Sequence, residues 1–98
     1  MTPVDELALR RARRLLEDYC RREAQGGRLL HCRATGACLS VHDARGQPLL
    51  RLCQERGGWR LYAAMPRGGW QPWPHLPEAA RLSDIERELN QPPLHVHW

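Results

Sequence analysis

Apolar side chains recur at helical spacing near the start of the chain. Ala8, Leu9, Ala12, Leu15, Leu16, Tyr19 and Cys20 fall on one arc when residues are placed about 100° apart, and Arg10, Arg11, Arg14, Asp18, Arg21 and Arg22 fall opposite. That pattern predicts an amphipathic helix with one buried and one solvated face. Its start is read at Thr2 as the capping residue, with Pro3 at the first helical position and Asp5 three residues after the cap. Gly26-Gly27 ends it.

Over residues 28–73 the period shortens. Apolar and polar positions alternate in short runs separated by Thr35-Gly36, Arg45-Gly46, Gly57-Gly58 and Arg67-Gly68-Gly69, which is the punctuation of successive β-hairpins. Two-residue loops at the first three turns set Leu30 opposite Val41, Cys32 opposite Leu39, Val41 opposite Leu50, Leu39 opposite Leu52, and Leu52 opposite Ala63. These registers agree on one apolar face, extended by Leu61 and Met65. The other face then carries His31, Arg33, Cys38, Ser40, His42, Arg51, Cys53, Glu55, Arg60 and Tyr62, with Glu55 across from Arg60 and Cys38 across from Cys53. A fifth short strand is predicted over residues 70–73, ended by Pro72 and Pro74. Ser83-Asp84-Ile85-Glu86 reads as a capping box opening a short helix, Asn90-Gln91-Pro92-Pro93 closes it, and residues 94–98 alternate like a strand. The expected architecture is α+β in a single domain over residues 1–98: an N-terminal amphipathic helix packed on a four- to five-stranded antiparallel β-meander, with a short C-terminal helix and an extended tail.

A chain of 98 residues buries roughly two-thirds of its unfolded surface, so a core without staples is feasible. No apolar run approaches the ~20 residues that cross a bilayer, and Met1 leads into Thr2-Pro3-Val4-Asp5-Glu6 rather than a basic patch and a greasy stretch. A cytoplasmic protein is expected, not engaged with membrane. The cysteines Cys20, Cys32, Cys38 and Cys53 include no Cys-x-x-Cys pair, and in that compartment they are read as four reduced thiols. Cys38 opposite Cys53 would allow a redox couple, but cross-strand geometry is demanding for a disulfide and two thiols beside Tyr62 is the reading adopted. The net charge of +4 comes from fifteen arginines and no lysine. Arginine is the preferred fork for phosphate and carboxylate. Here the bias is read mainly as composition.

The order of local motifs is also familiar. A helix ends in Tyr19-Cys20, a Leu-x-x-Arg strand runs from Leu30 to Arg33, and a Leu-x-Val strand follows from Leu39 to Val41. Trp59-x-Leu61-Tyr62, a second tryptophan at Trp70, a short acidic helix and a terminal Trp98 complete it. This order resembles the bacterial family catalogued as domain of unknown function 3024, over nearly the whole chain. The resemblance implies the fold and carries no catalytic residues. Members have an Arg-Pro and a further tryptophan after the second strand, where this chain has only Asp43-Ala44-Arg45-Gly46-Gln47-Pro48.

Three constellations carry candidate chemistry. Alternating Trp and Pro in Trp70-Gln71-Pro72-Trp73-Pro74-His75-Leu76-Pro77 suggests a rigid aromatic ledge for a partner, with Trp70, Trp73, His75, Arg60 and Arg67 as its contact residues. The plainer reading lays both rings over the open end of the core. Arg10, Arg14 and Arg21 offer an alternative, a nucleic-acid stripe on the first helix, although Glu17 and Asp18 stand at i,i+4 to offset it. His95 and His97 share one face of an extended tail, which gives two metal ligands and lacks a third. No phosphate loop, nucleophile elbow or paired acids are recognisable, so neither an enzyme nor a cofactor is expected. The expectation is a non-catalytic module, monomeric or weakly dimeric, that binds an unknown protein partner.

Overall fold

The computed structural model describes residues 5–90. Helix α1 spans Glu6–Gln25, and Asp5 caps it, its side chain accepting from the Ala8 backbone N–H. The cap is therefore three residues later than the one read at Thr2, which lies outside the described residues along with Pro3. Asp5 is the better cap because its carboxylate both satisfies an orphan donor and faces the positive end of the helix dipole. At the other end the sequence reading holds. Gly27 takes a φ of +90°, Arg28 N donates to Glu23 O and Gly27 N to Ala24 O, which is a Schellman closure.

Six strands follow: β1 (Leu30–Thr35), β2 (Cys38–Asp43), β3 (Pro48–Glu55), β4 (Gly58–Ala64), β5 (Trp70–Pro72) and β6 (Glu78–Ala79), then helix α2 (Leu82–Leu89). They form one antiparallel sheet in the order β1-β2-β3-β4-β5, and β6 pairs with β4. Strands β5 and β6 share the same edge of β4. Trp73 N donates to Leu61 O and Leu61 N to Pro77 O, so residues 74–76 bulge out opposite a single residue.

The middle hairpin has the expected pairs, Leu39 with Leu52, Val41 with Leu50 and Cys38 with Cys53. Its loop is not the two-residue turn expected. Asp43 N donates to Gln47 O around three residues, the Asp43 carboxylate accepts from Arg45 and Gln47 N–H, and a bulge beside His42 absorbs the extra residue.

The outer two registers differ from the reading by two residues: Cys32 pairs with Val41, Leu30 with Asp43, Leu52 with Leu61, and Glu55 with Gly58. A shift of two keeps every side chain on its expected face. The cause lies in the glycines. Gly36 opens its turn at φ +59°, ahead of Ala37, rather than closing it. Gly57 closes the next turn at φ +77°, while Gly58 is already in β4, where a Cβ would meet the Ala79 carbonyl oxygen at 2.5 Å.

Among the described residues the core cluster lies on one face of the sheet. Ala12, Leu15, Leu16 and Cys20 of α1 pack with Leu30, Leu39, Val41, Leu50, Leu52, Trp59 and Leu61 of the sheet and with Ile85 and Leu89 of α2. Gln54 fastens α1 to β3: its Oε1 accepts from Asp5 N at 2.8 Å and its Nε2 donates to Asp5 O at 3.2 Å. The capping box expected at Ser83 is not made. Arg81 stands at the cap without a side-chain bond, and Ser83 falls inside the first turn. The predicted tail strand and the His95 and His97 pair lie outside the described residues.

Candidate functional site

Because both helices pack on the apolar face, the opposite face of the sheet has no covering element among the described residues. Strand pairing arranges its side chains in rows across the strands. One row is His31, His42 and Pro48, beyond which Ala64 pairs with Trp70. The central row runs Arg33, Ser40, Arg51, Tyr62, Pro72. A third runs Thr35, Cys38, Cys53, Arg60, Glu78.

The first two rows contain no carboxylate, and they hold both rings of this face. Arg51, half-buried, is held from two sides: its Nη2 donates to Cys38 Sγ at 3.3 Å, and its Cζ lies 5.8 Å from the Trp70 ring centroid. Such anchoring reduces the entropy lost when the guanidinium meets a ligand. Arg33 is exposed and makes no ion pair among the described residues. Ser40 Oγ and His42 Nε2 are 2.8 Å apart, and His42 Nδ1 reaches Gly46 O at 3.3 Å. Since that carbonyl only accepts, the neutral ring donates from Nδ1 and accepts the Ser40 hydroxyl at Nε2.

The third row is electrically balanced. Arg60 lies between Glu55 at 3.2 Å and Glu78 at 3.9 Å. Cys38 and Cys53 are joined in a disulfide, which corrects the expectation of four reduced thiols; only Cys20 and Cys32 are free. The two sit at a non-hydrogen-bonded pair, flanked by the Gln54 N to Ala37 O bond, with Cα atoms 4.1 Å apart. That is the closest approach an antiparallel sheet offers. Both remaining thiols are turned toward the α1 side, where burial pushes Cys20 up and Cys32 up to about 11.

The residues of the expected ledge are dispersed. Alternation places Trp70 on the open face and Trp73 on the core face, where its Nε1 donates to Glu88 Oε1 of α2 at 2.9 Å. Arg60 is on the open face inside its ion pairs, Arg67 is exposed in the β4–β5 connection, and His75 is exposed in the edge bulge. Only Trp70 and Arg60 share a surface. On α1, Arg13 pairs with Glu17 at 3.5 Å as the i,i+4 spacing implied, while Arg21 takes Asp18 at 2.7 Å, an i,i+3 partner in place of the expected Glu17. Arg10, Arg11 and Arg14 make no ion pair among the described residues and border a shallow groove of about 260 Å³ with exposed Leu7. The larger clefts, about 410 and 440 Å³, open beside Gly57, Gly58 and Trp59 and hold, of the expected contact residues, Arg60 alone.

Sequence reasoning listed Arg33, Arg51, Tyr62, His31 and His42 on one face without treating them as a site. The alternation located them; what it lacked was the side on which α2 packs, which decides that this face stays open. No family model, curated protein or solved structure matches this chain. Among the described residues no helix is long and apolar enough to cross a membrane.

Proposed function

We propose that this protein is a non-catalytic binding module that takes up an extended anionic partner on the open face of its sheet. The observation that carries this reading is the pair of carboxylate-free rows in which Arg33 and an anchored Arg51 stand among Ser40, Tyr62 and Trp70. Arginines without acidic neighbours retain their field, whereas Arg60 and Arg21 spend theirs on internal pairs. The Trp-Pro segment supports a narrower protein contact, centred on the bulged edge at His75 rather than on two parallel rings.

A second reading, favoured by the free charges of Arg10, Arg11 and Arg14, puts the anion site on α1. Heparin chromatography separates the two. The double variant Arg33→Glu/Arg51→Glu should elute at clearly lower salt than the parent, with Arg10→Glu/Arg14→Glu shifting it less; the opposite order would move the site to the helix. Kinship with domain of unknown function 3024 belongs to this proposal and rests on motif order. So does a cytoplasmic location.

A further inference from the structure

Charge alone does not explain why this face carries its two aromatic rings. Tyr62 is half-buried at the centre of the sheet, flanked across the strands by Arg51 and Pro72, and Trp70 is half-buried at one border with a guanidinium against it. A solvated sheet surface gains little by placing large rings there, and the core is already closed on the other side by α1 and α2. Cations interleaved with rings in adjacent rows suit a ligand that alternates negative charge with flat apolar surface. Single-stranded nucleic acid has that alternation, phosphates for the arginines and unstacked bases for the rings.

Resting on the proposal that the open face takes an anionic partner, we infer that the partner is single-stranded nucleic acid, lying across the strands along the row Arg33, Ser40, Arg51, Tyr62. Four neighbouring strands at about 4.8 Å spacing give that row a length of about 14 Å, room for a short run of nucleotides. Glu55 and Glu78 bound the path on one side, since a phosphate directed to the third row would meet carboxylates. A duplex hides its base faces, and a flat sheet offers nothing to enter a groove. An acidic peptide would satisfy the arginines and leave the rings without a matched surface.

The test is fluorescence anisotropy with labelled oligothymidylate of twelve residues, competed by a duplex of equal length, by heparin and by polyglutamate, on the full chain at two salt concentrations. The single strand should compete best, and Tyr62→Ala and Trp70→Ala should each weaken it about tenfold while leaving heparin retention within twofold. Tyr62→Phe keeps the ring and should keep the affinity, which separates lost stacking from lost folding. If heparin and the single strand bind alike and Tyr62→Ala changes neither, the nucleic-acid inference is overturned and the anionic face stands. If Arg33→Glu/Arg51→Glu changes no polymer's binding, both are overturned.

Discussion

A methyl group at position 58 would come 2.5 Å from the Ala79 carbonyl oxygen, whereas one at position 57 meets nothing and is opposed only by a φ of +77°. The two adjacent glycines therefore serve different needs, and substitutions distinguish them. Asparagine tolerates the left-handed region, so Gly57→Asn should cost under ~1 kcal/mol in urea unfolding. Gly58→Asn should cost ~1–3 kcal/mol or more, because β6 must move away from β4. The titrating side chains give a second prediction. Burial, helped by Glu23, pushes Tyr19 up to about 12, so its folded pKa lies above the ordinary tyrosine value of about 10. Such a group stabilises the fold fully below pH ~10, and this contribution is lost as pH rises from there toward the folded value, because only the unfolded chain ionises. Stability should decline over that alkaline window, and Tyr19→Phe should flatten the decline; an unchanged slope would mean the phenol is solvated. At neutral pH the Cys32 thiolate fraction is about a hundredfold below that of a thiol at 9.0, so alkylation in the native state should be slow.

Elements show where sequence was legible and where it was not. The faces of α1 and of every long strand followed from periodicity, because the buried side is fixed by parity and survives a shift of two. Registers did not follow at the outer hairpins, since Gly57-Gly58 looks like one turn signal while Gly58 answers to a strand 21 residues later in the chain. The two rings of the ledge separate for a related reason: Trp70 and Trp73 are three apart, an odd spacing that a continued strand register splits between faces. Bonds that tie elements together can be checked one at a time. Asp5→Ala removes the α1 cap and should cost ~1 kcal/mol. Trp73→Phe loses the bond to Glu88 and should cost ~1–2 kcal/mol, with α2 amides exchanging faster. The Cys38–Cys53 bond spans 15 residues, so breaking it should cost about 3 kcal/mol. Thiol titration of the denatured, unreduced protein should count two thiols; four would contradict the bond.

At the scale of the whole molecule, the described residues close one side of the sheet and leave the other open. Two helices, the Trp59 and Trp73 rings and the Gln54 clasp are all committed to the apolar face, which leaves Arg33 and the anchored Arg51 on the other face, beside Tyr62 and Trp70, outside any ion pair among the described residues. A site of this kind is hard to see in sequence because none of its residues is a motif; Arg33, Arg51 and Tyr62 come together only through three hairpins, 29 residues apart end to end. Binding should weaken as salt rises, with a slope reduced when Arg33 or Arg51 is removed. The most direct measurement is the indole N–H spectrum of isotope-labelled protein titrated with twelve-residue oligothymidylate. The Trp70 signal should shift progressively while Trp73, held by Glu88 on the far face, stays in place. A still Trp70 signal beside moving Arg10 and Arg14 side-chain signals would contradict the account and put the ligand on the helix.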